Sequence, residues 1–192
     1  IVLGEFFIKA ITGAADRQAY AITFFYGLCL VGVSLGVWWL YFDHLDHSSL
    51  TAAGAQPRTW ADSHYLLLGA LAAYGVAAAK VLALEPGQAM ADEKRYLLAG
   101  ALAVVLLAIA VLEWTAPEKK GAMARRPQIG VRLVGAGVMV ALALLGGGLN
   151  PALLVALISL TFAVLVVIVV AARRRQGGEP QETDDPITSL AT

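Results

Sequence analysis

Long apolar stretches separated by short polar ones dominate the sequence. Three of them, at residues 20–42, 96–114 and 151–172, contain a single carboxylate between them, Glu113. About 20 apolar residues cross a hydrocarbon core roughly 30 Å thick, so these lengths are typical of membrane spans. Backbone groups in lipid must be satisfied within the segment, which favours helices, and no membrane-barrel alternation is present. The pattern predicts an all-α, polytopic transmembrane helix bundle with segments at residues 1–13, 20–42, 63–84, 96–114, 131–147 and 151–172.

The two ends of the chain differ from this middle part. The chain begins at Ile1 inside an apolar segment that would be only about 18 Å long as a helix. We therefore expect a fragment whose first segment is truncated and whose parent carries further N-terminal helices. The tail, residues 173–192, is rich in Gly, Pro, Glu, Asp and Thr, so it is predicted to be disordered.

Composition agrees with a membrane protein, since 59% of the residues are hydrophobic and only 15% are charged. Soluble domains contain nearer to 25% charged residues. A net charge of zero without a basic stripe argues against nucleic-acid binding. The sequence contains no Walker-type glycine loop, GxSxG, HExxH or CxxC motif. It therefore indicates no cofactor, and we expect the protein not to be an enzyme.

The distribution of Lys and Arg predicts the orientation, because cytoplasmic loops carry an excess of both. The connections after the second and fourth segments, together with the tail, hold eight basic residues. The other side holds three, Arg17, Lys94 and Arg95. The tail and the connection at residues 43–62 are therefore predicted to lie in the cytoplasm.

Four ionisable residues stand out in the apolar segments, where a charge is costly and suggests a function. Glu5 and Lys9 are spaced i, i+4, which favours an ion pair and leaves a transport or proton role open. Lys80 either extends to the interface or pairs with Glu5 or Glu113 on another helix. Glu113 precedes Trp114 at a segment end, so we expect a solvated, interfacial carboxylate.

All three histidines lie in or beside the connection after the second segment. Asp43, His44, Asp46 and His47 have a spacing that could bind zinc or another divalent ion on a continued helix. A hydrated helix end explains the same residues without a metal. A third interpretation gives Asp43 and His64, at the two ends of this connection, a proton or polar-network role.

Three short motifs resemble the bacterial low-temperature-requirement A (LtrA) family of membrane proteins. They are VLGE at residues 2–5, WWLYFD at 38–43 and SHYL at 63–66. The resemblance covers residues 1–84, and the later segments fit by general pattern. It implies a longer multi-helix protein of the bacterial inner membrane, of a family named for a cold-growth phenotype and without a settled activity.

The resemblance marks Glu5, Asp43 and His64 as family-like polar positions. Lys9 departs from the pattern, and so does the extension by Asp46 and His47. If Lys9 neutralises Glu5, a proton-carrying role for Glu5 is disfavoured.

Together these observations predict secondary transport, or movement of ions or protons, through an intramembrane polar network. The network consists of Glu5, Asp43 and His64, with Lys9 and Lys80 as charge partners. The partners are then the lipid bilayer and a small solute or ion, with a homo-oligomer left open. The alternatives are a non-transporting structural or regulatory membrane protein and, last, a membrane metal-dependent enzyme built on the Asp/His cluster.

Overall fold

The computed structural model of the chain describes residues 21–42, 57–115 and 125–176. Within these ranges every long element is a helix and no strand occurs, which confirms the predicted all-α bundle for this part of the chain. Each helix is long and apolar enough to cross a membrane. The helices are α1 (Ala21–Phe42), α2 (Pro57–Leu82), α3 (Asp92–Thr115), α4 (Arg125–Leu145) and α5 (Pro151–Gln176).

The helices extend beyond the apolar segments predicted from the sequence. α2 begins at Pro57 instead of residue 63, and α4 begins at Arg125 instead of residue 131. α5 continues to Gln176, so residues 173–176 are helical instead of belonging to the tail. Apolar runs detect only the part of a helix that crosses hydrocarbon, whereas its hydrogen bonding continues into the polar interface. The predicted first segment, residues 1–13, lies outside the described residues.

Helix α3 lies at the centre of the bundle. In its apolar span 67% of the residues are buried, against 33% in each of the other four helices. It packs along α2 on one side and α4 on the other, while α5 packs mainly on α1. Small buried residues such as Ala99, Ala103 and Ala110 let neighbouring helices approach closely.

Successive helices are antiparallel, so the ends of α1 and α3 lie beside the starts of α2 and α4. We call this the polar end, defined by Leu40, His64, Glu113 and Arg132. Their contacts across helices show that they share one end of the bundle. The opposite end contains the end of α2, the start of α3 and the Gly146–Gly148 3-10 turn between α4 and α5.

A hydroxyl pair joins α1 and α2 in the middle of the bundle. Tyr74 Oη donates to the Leu30 carbonyl at 2.7 Å, and Ser34 Oγ donates to the same carbonyl at 3.0 Å. The two hydroxyl oxygens are 3.3 Å apart, and both side chains are buried. These polar groups therefore satisfy one another inside the membrane-spanning region, as buried hydroxyls require.

Candidate functional site

The polar end contains a buried ion pair between two membrane-spanning helices. Glu113 lies near the end of α3, and Arg132 lies two turns into α4. Arg132 Nη2 and Nε both donate to Glu113 Oε1, at 2.7 Å and 3.1 Å. The Arg132 side chain is 0% exposed and that of Glu113 is 2% exposed. The two charges therefore interact in an environment without solvent contact.

Arg132 also reaches the end of a third helix. Its Nη2 lies 3.5 Å from the carbonyl oxygen of Leu40, in the last turn of α1. Carbonyl groups in the last turn of a helix lack intrahelical donors and carry the negative end of the helix dipole. The guanidinium group therefore joins α1, α3 and α4 at one point.

The ion pair retains hydrogen-bonding capacity that its described neighbours do not use. Arg132 Nη1 and Gln128 Oε1 are buried, and neither has a hydrogen-bond partner in the described part of the chain. Gln128 lies at i−4 from Arg132, so both residues lie on the same face of α4. An unsatisfied buried polar atom costs about 1–3 kcal/mol, which makes such atoms rare in native proteins. Buried atoms of this kind are commonly satisfied by bound water or ions, so this face of α4 has unused capacity to bind one.

His64 forms a second polar contact at the polar end, between α1 and α2. Its Nδ1 lies 2.8 Å from the Trp60 carbonyl oxygen, and its Nε2 lies 3.0 Å from Tyr41 Oη. A carbonyl only accepts, so Nδ1 carries the hydrogen, and in the neutral ring Nε2 accepts from the Tyr41 hydroxyl. The Trp60 ring centroid lies 4.0 Å from the imidazole centroid.

The Tyr41–His64 contact and the ion pair meet on α1, since Tyr41 directly follows Leu40. Protonation of His64 at Nε2 would reverse the hydrogen bond with Tyr41, because both nitrogens would then donate. The arrangement can therefore pass a proton between a hydroxyl and an imidazole at the same helix end that receives Arg132.

Most residues of the predicted network, and all the predicted metal ligands, fall outside the described residues. They are Glu5, Lys9, Asp43, His44, Asp46 and His47. Among the described residues no group of three or more His, Cys, Asp or Glu side chains could hold a metal ion. Lys80 is exposed near the end of α2, at the opposite end of the bundle from Glu113. His64 is thus the predicted network residue that the structure places at the polar end.

The prediction of a solvated, interfacial Glu113 is wrong. Glu113 is 2% exposed, whereas its neighbour Trp114 is 66% exposed. Adjacent residues on a helix point in directions about 100° apart, so an outward-facing Trp114 leaves Glu113 facing α4. Proximity to an aromatic residue in sequence therefore did not imply a shared environment.

Sequence reasoning also missed Arg132, although a signal for it is present. Positions 128, 132, 136, 139 and 143 recur with helical spacing, and all five are buried. Arg132 belongs to this stripe, which marks the inward face of α4. Its position next to the edge of an apolar segment concealed it, because edge charges usually extend into water.

A second buried arginine, Arg95, lies at the opposite end. Its Nε donates to the Ala143 carbonyl oxygen at 2.8 Å, and its Nη1 donates to Asp92 Oδ1 at 2.5 Å. Ala143 lies in the last turn of α4, whose carbonyl groups lack intrahelical donors. A Cβ at Gly147 would lie 3.1 Å from Arg95 Nη1, so the glycine run leaves room for the guanidinium. Arg95 therefore caps α4.

Comparison with protein-family models gives a match to the bacterial low temperature requirement A protein (LtrA) over residues 1–172. The match confirms the resemblance carried by the three motifs and extends it well past residue 84. It includes Glu113, Arg132 and almost all of α5. No curated protein and no solved structure matches the chain.

Proposed function

Since this chain belongs to the bacterial low temperature requirement A family of membrane proteins, we propose that it moves protons, ions or a small solute across the membrane. The observation that carries the proposal is the Glu113–Arg132 pair, with side chains 2% and 0% exposed between α3 and α4. Ionisable groups inside membrane spans are costly, and they commonly mark substrate and ion pathways. A pair that served stability alone would give little net benefit, because burying two charges offsets most of their attraction.

Protons are the species that the described groups suit best. Imidazole groups serve as proton shuttles in proteins, and His64 has a hydroxyl partner that can reverse its hydrogen bond. Protonation of Glu113 would remove the charge that holds Arg132 and free the guanidinium toward the Leu40 carbonyl. A proton arriving at the polar end would thereby change how α1, α3 and α4 are joined.

The proposed network also includes Glu5 and Asp43, with Lys9 and Lys80 as charge partners. Lys80 lies at the opposite end of the bundle from Glu113, so in this proposal its partner is Glu5. Glu5 and Asp43 lie in the VLGE and WWLYFD motifs that resemble the family, which supports their inclusion. In the proposal the polar end and the C-terminal tail face the cytoplasm of a bacterial inner membrane. The excess of Lys and Arg on that side supports this orientation.

The proposal is tested by reconstituting the intact protein in liposomes that contain a pH-sensitive dye, under imposed proton and ion gradients. We expect flux from the wild type and a loss of about tenfold or more, roughly 1.4 kcal/mol in the barrier, in Glu113→Gln and in His64→Gln. Asp62→Asn is the matched control, because Asp62 is an exposed carboxylate at the same end. Unchanged flux in both variants, or no wild-type flux under any gradient, would contradict the proposal.

One observation favours a second candidate, a structural or regulatory membrane protein that does not transport. Arg132 and Arg95 each reach a carbonyl in the last turn of a neighbouring helix, so both help to hold helix ends in place. This candidate predicts that substitutions at the ion pair lower the yield of folded protein. Transport predicts that the Glu113→Gln molecules that do fold lose flux, whereas the structural candidate predicts a loss of yield alone.

A further inference from the structure

An apolar groove of about 550 Å³ lies between α4 and α5. Small-molecule sites in proteins have volumes of roughly 300–1,000 Å³, so the groove is large enough for a specific ligand. α4 and α5 meet at Gly135, where an added Cβ would lie 2.8 Å from Leu165 Cδ1. Exposed apolar side chains of both helices, such as Val134 and Val164, form its walls. An apolar groove with exposed walls between two membrane-spanning helices is open to lipid.

The groove runs along α4 for about the length of one lipid tail. Its lining on α4 extends from Pro127 to Leu142. At 1.5 Å per residue this is roughly 22 Å, more than the ~15 Å that make up half of the hydrocarbon core. A single acyl chain that enters from the leaflet at the polar end therefore fits along the groove.

Basic residues flank the groove at the polar end. Arg125 and Arg126 are the first two residues of α4 and directly precede Pro127 in the lining. On α5 the lining extends to Ile168, and three arginines follow at 173–175, of which Arg174 is exposed. Neither helix contains an acidic residue. The charge at this end therefore complements an anionic group at the membrane surface.

We propose that the groove binds an acyl chain of an anionic phospholipid, whose phosphate lies at the end of the bundle where α4 begins with Arg125 and Arg126 and where Arg174 is exposed on α5. A membrane-spanning helix packed on the groove would cover the apolar lining but would leave the arginines without an anion. A zwitterionic lipid satisfies the apolar lining equally well but gains less from the arginines. The site is separate from the Glu113–Arg132 pair and does not depend on transport.

The headgroup part is tested by native mass spectrometry of the intact protein in detergent, titrated with phosphatidylglycerol or phosphatidylcholine of identical acyl chains. We expect tighter binding of phosphatidylglycerol, and a loss of about fivefold for each of Arg125→Gln, Arg126→Gln and Arg174→Gln. Equal binding of the two lipids by the wild type would overturn the proposal. Undiminished phosphatidylglycerol binding by the variant that carries all three substitutions would also overturn the proposal.

The groove itself is tested by filling it. A Cβ at Gly130 or Gly137 meets nothing within 4 Å, so phenylalanine can be introduced at either position of α4. Gly130 lines the groove, whereas Gly137 is exposed and is not among the lining residues. We expect Gly130→Phe to lower phosphatidylglycerol binding and Gly137→Phe to leave it unchanged, with both variants eluting as folded protein.

Equal binding by the two phenylalanine variants would overturn the assignment of the groove. Dissociation of a wild-type dimer by Gly130→Phe, with lipid binding retained, would assign the groove to a second copy and also overturn it. The arginine variants change only residues at helix ends. They therefore test whether the lipid headgroup is recognised even if Gly130→Phe fails to fold.

Discussion

Replacing Arg132 by methionine removes the positive partner of Glu113 and leaves a carboxylate buried between α3 and α4. Both hydrogen bonds from the guanidinium to Oε1 are lost, and so is the contact with the Leu40 carbonyl. Removing one member of a buried ion pair typically costs 3–5 kcal/mol, because the remaining charge is uncompensated. We therefore expect Arg132→Met to lower the free energy of unfolding by about 3–5 kcal/mol.

The double variant Arg132→Met with Glu113→Leu gives the sharper expectation. It removes both charges together, and replacing a buried pair by apolar residues of similar volume is often neutral or stabilising. The double variant should therefore be within about 1 kcal/mol of the wild type, although each single change is strongly destabilising. The stability loss of the double variant minus the sum of the losses of the two single variants measures the coupling between the two side chains.

The assay is reversible unfolding of the purified protein in mixed micelles, with helix content as the readout, for the wild type, both single variants and the double variant. Single changes that each cost less than about 1 kcal/mol would show that the pair is solvated, contrary to its burial. A double variant as unstable as the sum of the single variants would show that the two residues do not act as a pair.

Three further substitutions test individual contacts by their effect on the free energy of unfolding in the same assay. Arg95→Gln removes the cap on α4 and should cost about 1–3 kcal/mol, whereas Lys94→Gln at the neighbouring, more exposed position should change stability by less than about 0.5 kcal/mol. Gly135→Ala places a Cβ 2.8 Å from Leu165 Cδ1 and should be about 1–3 kcal/mol less stable than Gly137→Ala, where the space is open and the gain in helix propensity is the same. Equal stabilities of the two variants would show that Leu165 shifts without cost. Tyr74→Phe removes the hydroxyl donor to α1 and should cost about 0.5–1.5 kcal/mol, and no measurable loss would argue against the 2.7 Å hydrogen bond.

The spans of the bundle could be predicted from the sequence because hydrocarbon selects apolar residues directly. The predicted segment at residues 20–42 differs by one residue from α1, and both the segment at 151–172 and α5 begin at Pro151. The starts of α2 and α4 were harder to predict from the sequence, because they contain polar residues that lie at the membrane interface. A run of apolar residues ends at the edge of the hydrocarbon core, whereas the helix continues into the polar interface.

The ion pair could not be predicted in the same way, because it depends on how two helices face each other. Glu113 and Arg132 are 19 positions apart, on antiparallel helices, and each lies near the edge of an apolar segment. An edge position is compatible with extension into water or with burial against a neighbour. The inward stripe on α4, which includes Arg132 and Met139, was the available evidence for burial.

The central claim is that the buried pair takes part in transport and does more than hold helices together. The most direct measurement is dye-reported proton flux per folded molecule for Glu113→Gln in liposomes, beside wild-type protein and with folded yield determined on the same preparation. Glutamine keeps the size of the side chain and a hydrogen-bond acceptor for Arg132 but leaves the guanidinium charge uncompensated, so the account predicts a lower folded yield and, in the molecules that fold, flux reduced about tenfold or more. Wild-type flux per folded molecule, with any loss confined to yield, would contradict the claim and assign the pair a structural role.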